Sequence, residues 1–247
     1  MKVKKFWKKK KVMIPTVMIF ILSAICFLYV NDYYHADKNV QDYFQDGGLT
    51  KTQEITEGFY LDGPGKDTAV IFYPGAKVEY TAYLPLLHKL TNEGIDCFLV
   101  KMPCNLAFLG MNKADKIISS YEYEHWYIAG HSLGGAMAAS YASDHLDKLE
   151  GLILLASYSI KELKSESFSV ISIYGNKDGL LSMDKLEEGR KLMPSNYSEI
   201  CIEGGNHAGF GNYGSQKGDL KADISTEQQQ AQTVDAILKM VGKQKEN

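Results

Sequence analysis

A serine hydroxyl is a poor nucleophile at neutral pH unless a base takes its proton and an acid orients that base. Ser132 stands in AGHSLGGA, residues 129–136, with Gly130 two places before it and Gly134 two places after it. Glycines at those places let a strand and the next helix pass closely, so that the serine occupies a strained turn with its hydroxyl projecting outward. The same letters also suit an ordinary tight turn, and the flanks decide between the two. HWYIA before the turn reads as a strand and AMAASYASDHL after it reads as a helix. The chain has six histidines to serve as base. His35 and His88 come early, in a spacer and a helix. His125 begins the strand leading into the turn and so lies at the far end of the sheet. His131 adjoins the serine and points elsewhere, and His145 is thirteen residues down the following helix, about 20 Å away at 1.5 Å per residue. His207, in EGGNHAGFG directly after the last apolar run, remains. Asp178, in SVISIYGNKDGLL, is the expected orienting acid, although an Asp-Gly pair also suits a plain turn. Asp144, Asp147 and Asp184 fall in helices or at their ends, and Glu203 would have to bend back toward His207.

These residues need a scaffold that brings them together. After one edge strand over 54–61, short apolar runs stand at 68–73, 96–101, 125–129, 151–156, 168–174 and 198–202. Helix-like stretches at 80–93, 106–120, 133–145, 182–193 and 226–242 separate or follow them. Strands that are apolar on both faces and alternate with helices imply a mostly parallel sheet with helices on both sides. Function in such sheets collects at the carboxyl ends of the strands, and Ser132, Asp178 and His207 each follow a strand.

The order Ser132, Asp178, His207, each at the end of a strand in a parallel sheet, resembles the α/β-hydrolase fold, over about residues 66–242. Within it the chain looks most like the small single-domain bacterial serine hydrolases of the dienelactone-hydrolase-like, fold-5 type, whose last loop reads much like GGNHAGFGNYGSQKGD here. Dienelactone hydrolases proper carry a cysteine nucleophile where this chain has Ser132, so their lactone substrate does not carry over. The resemblance implies a hydrolase of carboxylic esters or related acyl bonds acting on a small-molecule acyl substrate, with no metal or organic cofactor. An acyltransferase using the same triad, and a catalytically silent binding protein of this fold, stand as alternatives. One oxyanion donor is expected at the Leu133 N–H, at a helix start where the dipole favours negative charge. By resemblance the second comes from the loop after TAVIFY, which reads YPGAK; Pro74 has no N–H, which leaves Ala76. Only residues 157–167 stand between GLILLA and FSVISIY where relatives insert a cap, so the cap is minimal and the site is expected to be shallow, open and suited to short or compact acyl groups.

Charge is uneven along the 247 residues. Residues 1–30 hold seven lysines and no acid, so a net charge of -3 leaves the body strongly acidic. A nucleic-acid footprint needs a basic face on the folded part, and this chain has only a basic tail. Residues 12–30, VMIPTVMIFILSAICFLYV, carry no charge over nineteen positions, close to the ~20 that cross a bilayer as a helix. No small residues are well placed for signal cleavage, which favours an uncleaved signal anchor over a cleaved peptide. Seven lysines before the span and only Lys38 in residues 31–50 place the N-terminus in the cytoplasm and the body outside it. The expected organisation is a basic cytoplasmic tail (1–11), a transmembrane anchor (12–30), a spacer (31–50) and the hydrolase domain (51–247). Cys97, Cys104 and Cys201 have no metal-ligand spacing and read as free thiols.

Overall fold

The computed structural model describes residues 2–44 and 49–244, with side chains over residues 16–44 and 49–242. The chain divides into two units, Met1–Tyr33 and Tyr34–Asn247. The first is one helix, α1 (Lys2–Asn31). Its large apolar side chains from Val17 to Tyr29 stand exposed, Phe20 by 73% and Leu28 by 68%. Among the described residues no helix is long and apolar enough to cross a membrane. The side chains of the expected basic tail (1–11) and of residues 12–15 of the expected span lie outside the described ones, as do residues 45–48 of the expected spacer.

The second unit is built on an eight-stranded sheet in the order β1-β2-β4-β3-β5-β6-β7-β8. The strands are β1 (Lys51–Ile55), β2 (Gly58–Asp62), β3 (Thr68–Tyr73), β4 (Asp96–Val100), β5 (His125–His131), β6 (Gly151–Leu155), β7 (Ser169–Gly175) and β8 (Asn196–Ile202). From β4 to β8 every pairing is parallel, while β1 and β2 add an antiparallel edge. The single edge strand expected over 54–61 is therefore a hairpin. It turns at Thr56 and Glu57, and Gly58 sits at φ +149 with no room for a side chain, since a Cβ there would fall 2.0 Å from the Leu99 carbonyl oxygen.

Period-two alternation gives the sheet two cores. Val70 and Phe72 of β3 pack on one side with Leu87 and Leu90 of α2 (Leu84–Asn92) and Ile237 and Val241 of α6 (Thr226–Gln244). Ile71 and Tyr73 pack on the other with Ile117 of α3 (Lys113–Ser120) and Ala138, Ala139 and Ala142 of α4 (Leu133–Ser143). The helix expected over 106–120 is confined to α3; two short 3-10 turns, Pro103–Asn105 and Ala107–Leu109, precede it because Cys104 and Asn105 take positive φ. Residues 156–168, which connect β6 to β7, contain neither helix nor strand, and β8 follows α5 (Met183–Arg190). Within the stretch read as a spacer, residues 34–44 are folded on this unit. Tyr34 bridges Val78 in parallel, and Val40, 1% exposed, joins the core beside α2.

Candidate active site

Ser132 is the junction between β5 and α4. Its backbone sits at φ 52, ψ -123, a region costing a non-glycine residue of order 1–3 kcal/mol unless its surroundings enforce it. Here they do. The Ser132 N–H donates to the Leu155 carbonyl at 2.9 Å, and its own carbonyl accepts the Ser157 hydroxyl at 2.7 Å and the Ala136 N–H at 3.2 Å. The two glycines of the motif make the turn possible by contact distance. A Cβ on Gly130 would meet the Gly134 carbonyl carbon at 2.5 Å, and one on Gly134 would meet the Tyr73 and Pro74 carbonyl oxygens at 2.2 and 2.4 Å. The second approach presses the first turn of α4 against the loop that follows β3.

Asp178 and His207 leave the ends of β7 and β8 and meet. His207 Nδ1 lies 2.9 Å from Asp178 Oδ2 and 3.1 Å from Oδ1, with the two side chains 4% and 2% exposed. Asp178 Oδ1 also accepts the Leu180 and Leu181 N–H groups, both at 2.8 Å. A carboxylate this deeply buried needs such partners, and together they fix which ring nitrogen of His207 faces it. His207 Nε2 and Ser132 Oγ have no hydrogen-bond partner among the described residues. Ser132 and His207 line one cavity of about 240 Å³, walled also by Leu133, Ala136, Ala156, Tyr158, Leu180 and Leu181. That is smaller than the ~300 Å³ at which pockets for drug-sized ligands begin.

The expected oxyanion donors differ in placement. Leu133 opens α4 and lines the cavity; Ala76 is not part of the lining. In the loop after β3, Gly75 N–H donates to the Tyr83 hydroxyl at 3.1 Å and Lys77 N–H to the Asn105 carbonyl at 2.9 Å. Between them the Ala76 N–H has no partner among the described residues.

Three residues that sequence reasoning did not single out, Tyr83, Asp219 and Gln229, hold these loops together with His131, which it set aside as the base. His131 does point away from the serine, as expected, and into a buried chain of hydrogen bonds. Its Nε2 lies 3.0 Å from the His207 carbonyl and its Nδ1 2.8 Å from the Tyr83 hydroxyl. Chemistry sets every direction in the chain. A carbonyl only accepts, so Nε2 carries the hydrogen; a main-chain N–H only donates, so Tyr83 accepts from Gly75 and donates to Nδ1. His131 is neutral here, because burial, and then the proximity of His207, push its pKa well below the usual 6.5. Asp219 accepts the N–H groups of Gly179 at 3.0 Å, His207 at 3.3 Å and Ala208 at 2.9 Å, tying the Asp178 loop to the His207 loop. Gln229, fully buried, brackets Asn206 by accepting its N–H at 3.0 Å and donating to its carbonyl at 2.8 Å. Sequence offered one signal for this, the Gln228–Gln230 tract, which composition alone reads as mere bias.

A mostly parallel sheet with a serine on a strained strand-to-helix turn and an Asp–His pair at the ends of two later strands defines the α/β-hydrolase class. Residues 69–231 match the model of the Alpha/beta hydrolase family, and the chain belongs to that family. Solved structures agree on the fold. TT1662 from Thermus thermophilus is 10% identical, with a TM-score of 0.59 over 80% of this chain and 98% of that one. Est1E from Butyrivibrio proteoclasticus is 14% identical, with a TM-score of 0.56 over 79% of this chain and 100% of that one. The mouse alpha/beta hydrolase domain-containing protein 10 is 12% identical, with a TM-score of 0.59 over 79% and 99%. No curated protein matches the chain in sequence.

Proposed function

We propose that this protein is a membrane-anchored serine hydrolase that cleaves carboxylic esters or related acyl bonds outside the cytoplasm. The observation that carries the reading is the Asp178–His207 pair at 2.9 Å, with Ser132 on its positive-φ turn in the same small cavity. Ser132 Oγ attacks the carbonyl carbon and His207 Nε2 takes its proton. Asp178 holds the imidazole in the tautomer with hydrogen on Nδ1 and stabilises the imidazolium that forms. Negative charge on the tetrahedral oxygen is met by the Leu133 N–H and, from the adjoining loop, the Ala76 N–H. His207 then protonates the leaving alcohol, and water, activated by the same imidazole, releases the acid. The anchor rests on the uncharged run 12–30 with its lysine-rich flank, and on the exposure of apolar side chains along the described part of α1.

A fluorophosphonate probe and a panel of esters of graded acyl length test the chemistry. Ser132→Ala is expected to abolish labelling, and Asp178→Asn to lower kcat by about 10⁴, as in the best-studied triad, with the fold intact by circular dichroism. Full ester turnover by the Ser132→Ala protein would overturn the mechanism. For the anchor, protease added to intact cells should digest the domain and spare the N-terminal tail; a protected domain refutes the topology.

A further inference from the structure

We infer that the face of the sheet carrying the candidate active site is a docking surface for an anionic lipid bilayer, so that the enzyme draws its ester substrates from the membrane surface. The inference deepens the function proposed above and rests on its anchor.

Three independent observations point the same way. The first is where apolar surface is left uncovered. Among the described residues of the folded unit the large apolar side chains that stand exposed are Phe108 (55%), Leu109 (50%), Ile160 (66%), Leu180, Met183 and Leu220, besides Phe44 and Leu49 near the start of the unit. Those six belong to the segments that follow β4, β6, β7 and β8, which all open on the carboxyl end of the sheet. Exposed apolar residues scattered singly over a surface need no explanation; a set carried by the segments at one end of a sheet marks an interaction site. Leu180 belongs to both sets, since it also lines the cavity.

The second observation is charge. Around Phe108 and Leu109, residues 101–116 carry Lys101, Lys113 and Lys116 against Asp115 alone, and Lys101 and Lys116 are exposed. Apolar tips flanked by lysines suit an interface where side chains enter the acyl boundary and cations meet lipid phosphates. The opposite end of the sheet has the reverse character. Its turns at 62–67, 93–94 and 121–124 carry Asp62, Asp67, Glu93, Glu122 and Glu124 with only Lys66 among them. On the site end the acids Glu57, Asp184, Glu203, Asp219 and Asp223 are offset by lysines, so an anionic surface repels the second end more than the first.

The third is the point at which the chain enters the fold. Tyr34 bridges Val78, exchanges main-chain hydrogen bonds with Lys77 and Glu79, and accepts the Lys217 N–H on its hydroxyl at 3.0 Å. These partners lie in the loops after β3 and β8, on the site face. α1 ends at Asn31, and three peptide links at 3.8 Å each bring Tyr34 within about 11 Å of it by covalent reach alone. The chain therefore enters the folded unit on its site face, three residues after α1 ends.

The test uses the full chain reconstituted in vesicles of phosphatidylcholine and phosphatidylglycerol, and reads position instead of catalysis. Flotation with the vesicles reports the anchor. Phe108→Trp and Glu124→Trp, at the two ends of the sheet, are then compared for quenching by lipids brominated near the headgroup, with the wild-type chain, which holds Trp7 and Trp126, as background. The expected result is strong quenching and a blue shift of the tryptophan at 108 and none at 124. Floated protein with no quenching at 108 overturns the docking while leaving the anchor standing, and assigns the apolar rim to a protein partner. Equal quenching at both ends overturns it as well, and protein that does not float removes the anchor and the docking together. Fluorophosphonate labelling of the same samples reports the catalytic reading separately.

Discussion

Tyr83→Phe removes a single oxygen atom, and the structure puts a size on the loss. The hydroxyl accepts the Gly75 N–H at 3.1 Å and donates to His131 Nδ1 at 2.8 Å, and both Tyr83 and His131 are at most 1% exposed. Phenylalanine fills the same space but leaves one donor and one acceptor buried without partners, each costing about 1–3 kcal/mol. The total is about 2–6 kcal/mol, which at roughly 2–4 °C per kcal/mol for a unit of this size lowers the melting temperature by about 5–20 °C. Function should suffer separately from stability. Gly75 precedes the proposed donor Ala76, so a freed loop weakens an interaction made only with the transition state; kcat falls while KM holds. Thermal unfolding by circular dichroism and steady-state ester turnover measure the two effects. Tyr141→Phe is the reference, since among the described residues its hydroxyl meets only the partly exposed Asp115, at 2.8 Å, and it should cost about 1 kcal/mol with kcat unchanged. A Tyr83→Phe protein that melts within about 2 °C of wild type and keeps its kcat would refute the hydrogen-bond directions assigned to this chain.

Gly134→Ala tests the packing that seats the serine. Its Cβ would fall 2.2 Å from the Tyr73 oxygen and 2.4 Å from the Pro74 oxygen, so the loop after β3 must move by about 1 Å, a displacement that can cost ~10²-fold in rate; a fully active variant would show that the loop has slack. Stability should also depend on pH in a set direction. Burial holds both His131 and His88 below the usual 6.5 in the folded state, so the unfolded chain binds more protons as pH drops below 6.5. Their contribution is therefore complete above that pH and declines beneath it, by up to about 1.4 kcal/mol per pH unit for each histidine. Urea midpoints at pH 5, 6, 7 and 8 measure this, and a midpoint that does not fall between pH 7 and 5 contradicts the burial of neutral imidazoles.

Much of this architecture is legible in the sequence because its physics is local and periodic. β3, TAVIFY, is buried at every position, as an uninterrupted apolar run between turns predicts for a strand covered on both faces. The strand-to-helix turn around Ser132 is equally local: Gly130 and Gly134 are required by close approaches of main chain to main chain, and the letters around the serine announce them. The order of Ser132, Asp178 and His207 along the chain follows from strands that run parallel and present the same end. The edge hairpin escapes because its turn is only two residues long and carries none of the Asn-Gly or Asp-Gly pairs that mark such turns; the polar face of β1 then reads as a loop.

What periodicity does not report is the partner of a buried polar group. His131 lies 76 residues from the carbonyl it caps and 48 from the hydroxyl it receives, and nothing in GHS indicates either one. The histidine is restricted on all sides by contacts that exist only after folding: a donor on Nε2 because a carbonyl faces it, a bare Nδ1 because burial denies it a second proton. The loop NHAGFG is in the same position. Its letters identify a histidine at a strand end, while its shape comes from Gln229 in α6 and from Asp219 twelve residues on from His207. Gly209 shows how closely the two halves are fitted, since a Cβ there would fall 2.1 Å from the Gln229 side-chain oxygen. A residue can therefore be named as a base from its place along the chain, but its orientation depends on side chains that the fold recruits from elsewhere. Those recruited side chains, Tyr83, His131, Asp219 and Gln229, are where substitutions remote from Ser132 should disturb the site most.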